Sequence, residues 1–171
     1  MKMRTDVTEE DGDRAVQSHV PEPRLELLME TEVTLGPVLD LGSTPYGHRR
    51  IVPISGGRFS GPRLDGVVLP GGADWQIIHP KGWVRVEARY TLQVSNGDLI
   101  SVVSQGVRHG PADVMAELLA GGSPDSATYR FRTAVTLETS SSDYYWLNHI
   151  VAVGSAERAP VAVHQNFYEV L

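Results

Sequence analysis

The sequence predicts an all-β domain, a barrel or sandwich of roughly eight or nine mostly antiparallel strands with one short helix. Three observations carry that reading. From Arg24 onward, short runs rich in Val, Ile, Thr and aromatic residues are separated by Gly, Pro, Asn and Asp, at the spacing of about 8 to 12 residues that short β-strands require. Two of these runs, residues 83–94 and 99–107, alternate in polarity around Ser95-Asn96-Gly97-Asp98, a turn chemistry that joins antiparallel neighbours. One segment breaks the period: residues 111–121 carry Met115, Leu118 and Leu119 at helical spacing, with Pro111 near the start and Gly121 past the end.

The elements follow in chain order. Residues 1–32 hold four basic and nine acidic residues and no Phe, Tyr or Trp, so little apolar surface offsets the entropy of ordering them. A mobile acidic arm is expected over residues 1–20, bounded by Pro21 and Pro23, with a barrel domain over 21–171. The functional version of that arm is a lid over a pocket mouth. Strands are expected at 25–35, 50–54, 66–69, 74–79, 83–94, 99–107, 128–139, 145–153 and 161–170. The glycines of Gly56-Gly57-Arg58-Phe59-Ser60-Gly61 fit a sharply bent strand, because their spacing matches no dinucleotide fingerprint and no Lys-Ser/Thr pair follows to make a phosphate loop. Leu69-Pro70-Gly71-Gly72 reads as a turn that delivers Asp74, Trp75 and Gln76 into the next strand.

In the central hairpin, a two-residue type I′ turn at Asn96-Gly97 sets the register. It puts Val84, Val86, Ala88, Tyr90, Leu92, Val94, Leu99, Ser101, Val103, Gln105, Val107 and His109 on one face. That face is mostly apolar and is assigned to the interior. Its polar members, Tyr90, Ser101, Gln105 and His109, then either satisfy one another or point at a ligand.

Composition narrows the function. Fifteen Lys+Arg against 21 Asp+Glu leave a formal charge of -6, which argues against a nucleic-acid or anionic-membrane surface. The absence of Cys removes disulfides, thiolate metal sites and cysteine nucleophiles. Six dispersed histidines form no His-x-His or His-Glu-x-x-His pair, so no metal is expected, and no Gly-x-Ser-x-Gly elbow is present. No apolar window is long enough for a membrane span and the acidic N-terminus does not read as a signal peptide, so a cytoplasmic protein is expected.

Five motifs in order carry a resemblance. These are the stretch from Gly47-His48-Arg49-Arg50 to Ser60-Gly61-Pro62, then Leu69-Pro70-Gly71-Gly72-Ala73-Asp74-Trp75-Gln76, Ala88-Arg89-Tyr90-Thr91-Leu92, Tyr129-Arg130-Phe131-Arg132 and Tyr145-Trp146-Leu147-Asn148. Together they resemble the small β-barrel family known as domain of unknown function three-two-three-seven, over about residues 24–171. The resemblance implies a single calycin-like closed barrel with a central cavity, and self-association. It brings no particular reaction. The acidic arm, and Ser95-Asn96-Gly97-Asp98 where the family more often has Asp-Asp-Gly, depart from the pattern and suggest a specialised, biosynthetic member.

Within such a barrel the chemistry-bearing candidates are few. Asp74 follows a Gly-Gly turn; facing the lumen it would have a raised pKa and serve as general acid or base, and otherwise it accepts turn amides. Glu138, a candidate ligand contact, shares a strand face with Arg130 and Arg132, which favours an ion-pair role. Trp146 and Asn148 share a face of the 145–153 strand, an aromatic wall beside an amide that suits a carbonyl-bearing ligand, although a Trp also fills cores. The first functional reading is an enzyme without metal or nucleotide cofactor, an isomerase, lyase or cyclase, cycloaddition included, acting on a hydrophobic carbonyl-bearing small molecule. In it Asp74 transfers the proton, Tyr90 or His109 polarises the carbonyl, and Trp75 and Trp146 shape the walls, with Gln76, Ser101 and Gln105 as further contacts. A non-catalytic carrier, and an oligomer whose cavity is filled by its own side chains, are the alternatives.

Overall fold

The computed structural model describes residues 19–171; the expected arm lies outside them except for its last two residues. Ten strands and one α-helix follow one another as β1 (Leu25–Leu35), β2 (Leu39–Thr44), β3 (Gly47–Ser60), β4 (Asp65–Val68), β5 (Ala73–Ile78), β6 (Val84–Val94), β7 (Leu99–His109), α1 (Ala112–Leu119), β8 (Arg130–Glu138), β9 (Val151–Arg158) and β10 (Ala162–Val170). Every pairing is antiparallel. β1 and β2 lie end to end along one edge of β3, and β4 and β5 lie end to end between β3 and β6. Each such couple is one interrupted strand, so the sheet is an eight-stranded up-and-down meander. It closes where β1 pairs with β10, from Leu25↔Val170 to Thr34↔Ala162, and closure leaves no free edge along that seam.

The bend that lets β3 serve two partners in succession lies at its glycines. Gly57 has φ +141, and a Cβ there would sit 2.1 Å from the Glu32 carbonyl oxygen of β1. Only glycine permits so close an approach of two backbones.

The interior consists of two apolar clusters. The larger includes Met29, Phe59, Leu92, Ile100, Val102, Leu137 and Phe167. It is capped by a 3₁₀ turn, Tyr145–His149, from which Leu147 is buried and Trp146 packs against the cluster. The smaller joins Val84 and Val86 of β6 and Phe131 of β8 to Met115 and Leu118 of α1. The helix therefore plugs the opposite end of the barrel with the apolar side its spacing implied. A strand was expected at 145–153; the structure begins it only at Val151, because Asn148 folds the preceding residues back. Its Oδ1 accepts from the Thr139 amide at 3.0 Å and its Nδ2 donates to the Thr139 and Tyr145 carbonyls, each at 2.9 Å.

The register of the β6–β7 hairpin differs from expectation by one residue. Gln93 faces Leu99 and Leu92 faces Ile100; the Val94 amide donates to the Asp98 carbonyl at 2.9 Å, and the Gly97 amide to the Val94 carbonyl at 2.8 Å. Gly97 has a positive φ of 95° and Asn96 does not, so Ser95, Asn96 and Gly97 form a three-residue loop with a glycine bulge instead of the two-residue turn. One extra loop residue turns every β7 side chain over. Ile100, Val102, Ser104 and Arg108 are buried, while Leu99, Ser101, Gln105, Val107 and His109 are exposed.

A polar belt in the barrel lumen as candidate active site

Between the two apolar clusters a belt of polar side chains crosses a mainly apolar lumen. Asp74 and Gln76 come from β5, Ser104 and Arg108 from β7, Arg158 from β9 and Gln165 from β10. They border a small cavity of about 30 Å³.

Asp74 is the centre of the belt. It lies deep in the barrel, and the surface it keeps borders the lumen. Opposite it the β5–β6 ladder opens between the Asp74↔Ala88 and Ile77↔Arg85 pairs, and the Glu87 amide donates to Asp74 Oδ1 at 3.0 Å. Gln76 Nε2 donates to Asp74 Oδ2 at 2.6 Å, while Gln76 Oε1 accepts from the Arg50 guanidinium at 2.9 Å. A glutamine can be donor on one side and acceptor on the other, so Arg50, Gln76 and Asp74 form one oriented chain. Loss of water pushes the Asp74 carboxyl above the ordinary aspartate value; the bonds from Gln76 and Glu87 and the charges of Arg108 and Arg50 oppose that rise without cancelling it.

Arg108 is 1 % exposed. Burial, the dominant cause, lowers its guanidinium to about 10, with repulsion from Arg50 and Arg158 adding and attraction to Asp74 opposing, so it stays charged at neutral pH. Its Nε has no hydrogen-bond partner, and the Phe131 ring centroid lies 5.6 Å from its Cζ. Arg158 is fixed differently: its amide donates to Tyr129 Oη at 2.8 Å and its guanidinium donates to the Ala159 and Ala162 carbonyls. Tyr90 is buried on the lumen wall with an unbonded hydroxyl. Burial raises its phenol, and the Gln165 side chain is near enough to oppose that rise without reaching bonding geometry.

Of the residues singled out from sequence, Asp74, Gln76 and Tyr90 meet in the lumen. The others do not. Ser101, Gln105 and His109 are exposed on the outside, through the one-residue register shift. Trp75 alternates with Asp74 and Gln76 along β5 and is 41 % exposed on the outer wall. Glu138 is exposed at the end of β8. Trp146 sits in the cap under the Arg63 guanidinium, 3.7 Å from its ring centroid, and Asn148 anchors that cap. Arg50, Arg108, Arg158, Ser104 and Gln165 were missed. Arginine belongs to the exposed class by residue type, and the only signal for Arg108 was the correct loop length at Gly97.

An open groove of about 650 Å³ between the β2–β3 hairpin, the end of β5 and the C-terminal end of α1 is lined by Asp40, His48, Arg50, Ile78, His79 and Leu119, among others. Arg50 is common to groove and belt: its guanidinium bonds Gln76 within and the Leu119 carbonyl, at 3.3 Å, at the helix end. Near the groove mouth His48 Nε2 and Asp40 Oδ1 are 2.8 Å apart.

A closed meander barrel with a charged belt across its lumen is the class to which this molecule belongs. The chain is a member of the family described as Protein of unknown function (DUF3237), which matches residues 23–170. It is 38% identical over 135 residues to a UPF0311 protein of Rhodopseudomonas palustris, covering 77% of this chain and 88% of that one. A solved β-barrel-like protein of Acinetobacter baumannii superposes with a TM-score of 0.80 at 42% identity, over 91% of this chain and 100% of that one. A hydroalkoxylation enzyme of Penicillium herquei is 28% identical over 141 residues, covering 82% of this chain and 79% of its own. Among the described residues no helix is long and apolar enough to cross a membrane.

Proposed function

We propose that the barrel is an enzyme of small-molecule, biosynthetic chemistry that works by acid–base catalysis at Asp74, as an isomerase, lyase or cyclase. The observation that supports this most is the chain from Arg50 through Gln76 to Asp74. It aims a carboxylate of raised proton affinity into an apolar-walled lumen. A base is most useful when its pKa approaches the working pH, and desolvation moves Asp74 in that direction. The likeness to a hydroalkoxylation enzyme fits the same machinery. Adding an O–H across a carbon–carbon double bond of the same molecule is a net isomerisation. Asp74 accepts the proton of the substrate oxygen, the oxygen closes on one alkene carbon, and the proton returns to the other, so no co-reactant is consumed. The guanidiniums of Arg108 and Arg50 face the charge that passes from Asp74 to the oxygen and back.

The test begins with native mass spectrometry of the full chain exposed to a small-molecule extract of its source cells, followed by incubation of any retained compound with fresh protein. The expected result is conversion to an isomer or a fragment, slowed by Asp74→Asn by about 10²–10⁴-fold with retention unchanged. A retained compound recovered unaltered after long incubation identifies a carrier and overturns the reading.

A further inference from the structure

The lumen has more positive charge than its single carboxylate neutralises. Arg108 and Arg158 border the cavity with Asp74, and Arg50 closes the chain through Gln76. The ion pairs among the described residues are His48–Asp40, Arg58–Glu32, Arg63–Glu169 and Arg89–Glu87, and all of them lie outside this belt. Three guanidiniums therefore stand around one carboxylate, that of Arg108 fully buried and those of Arg50 and Arg158 partly so. Buried donors among them are costly while they lack an acceptor. The buried, unpartnered Nε atoms of Arg108 and Arg50 are two hydrogen-bond donors without acceptors. The walls around them, Val33, Ile54, Val86, Ala88 and Phe131 among them, are apolar, so the missing partner is a compact molecule that presents an acceptor oxygen.

We propose that the lumen binds its substrate as an oxyanion, the ionised oxygen of an enol or phenol, with Arg108 as the principal counter-charge and Asp74 as the acceptor of the proton that oxygen gives up. This rests on the reading of Asp74 as the base and names the substrate class for it. In the step, the O–H bond of the enol or phenol breaks, its proton bonds to a carboxylate oxygen of Asp74, and the electron pair stays on the substrate oxygen. The net charge of the lumen does not change. One unit of negative charge moves from the carboxylate to an oxygen bound by charge-assisted hydrogen bonds.

Acetylacetone is a probe of the right chemistry: it is small, enolises readily, and its enolate absorbs at longer wavelength than the enol. The full chain is titrated near neutral pH with acetylacetone, with acetate as a ready-made anion, and with pentan-2-one as a neutral ketone. The expected result is an enolate spectrum in the bound state at a pH where free acetylacetone is un-ionised, with tighter binding than either control. Arg108→Met should weaken enolate binding by roughly ten- to a hundredfold, with its fold checked by circular dichroism. Arg158→Gln, on a less buried side chain, should give a smaller loss in the same direction and supplies a second test if the first variant does not fold.

Acetylacetone bound as the neutral enol, pentan-2-one bound as tightly, acetate bound more tightly than the enolate, or no binding of any probe would each overturn the proposal. Its failure is distinct from failure of the base. Turnover lost in Asp74→Asn while the probe binds only as neutral enol leaves the base standing without the oxyanion site. Enolate bound equally by the parent chain and Asp74→Asn, with turnover retained, removes Asp74 from the chemistry.

Discussion

Asp74 accepts hydrogen bonds from the Glu87 amide and Gln76, and sits in the field of Arg108 and Arg50, yet its proton affinity rises because burial disfavours its charged form. That balance has a consequence for stability as well as for catalysis. A carboxyl whose native pKa exceeds its unfolded value binds its proton more tightly in the folded chain. Stability at this residue is therefore greatest below the unfolded value, 3.8, and declines as pH rises through the raised native value. Asparagine keeps the shape and loses the titration. In urea denaturation across a pH series, the parent chain should lose stability relative to Asp74→Asn as pH climbs from 3.8 upward, and the gap should level off once the native carboxyl is ionised. A gap that grows in the opposite direction would mean that the two hydrogen bonds and the guanidiniums outweigh desolvation, and that Asp74 is an ordinary ion-pair partner.

The hairpin of β6 and β7 decides which side chains reach Asp74, and its loop shows where sequence reading stops. Its existence was legible because Asn96-Gly97 separates two alternating runs; the inward face of β6, Val84 to Val94, was legible for the same reason. The inward face of β7 was not. Ile100 and Val102 lie on one face and Leu99, Val103 and Val107 on the other, so hydrophobicity did not choose between them and the loop did. Gly97 makes that choice at φ +95, with open space around its Cβ position. Gly97→Ala should cost about 1–2 kcal/mol of backbone strain alone, measured by denaturant unfolding, with no change in register. A neutral substitution would show that another feature, such as the Asp98 side chain bonding Asn96 Nδ2 at 3.0 Å and the Ser141 hydroxyl, sets the loop. β2 was missed for a related reason: Leu39–Thr44 is largely exposed on both faces, so it has no burial period to read. Asp74 was legible from its Gly-Gly turn, whereas the arginines of the belt lie on strands of ordinary pattern and become a site only when the barrel brings β3, β7 and β9 around one axis.

At the scale of the whole molecule, every strand pairs with a neighbour close in sequence except at the seam, where residues 25–34 meet residues 162–170. The ends of the barrel chain are tied there: the Arg24 amide donates to the Leu171 carbonyl at 3.0 Å and the Leu171 amide to the Arg24 carbonyl at 2.8 Å. The seam also carries function, because β10 supplies Gln165 to the belt and Phe167, with no exposed surface, to the larger apolar cluster. Its closure is a long-range event, slow to form but independent of where the chain starts. Two variants separate these points. Truncation after Ala159 removes β10 and leaves the unpaired edges of β1 and β9 exposed; it should lose the cooperative thermal transition and aggregate in size-exclusion chromatography. A circular permutant that joins Leu171 to Arg24 through a short linker and begins at Pro124, in the loop after α1, retains every strand pair and should unfold cooperatively, in the same oligomeric state as the parent chain. If the truncated chain also melts cooperatively, the barrel is held by its meander alone, and Gln165 and Phe167 are passengers in the core.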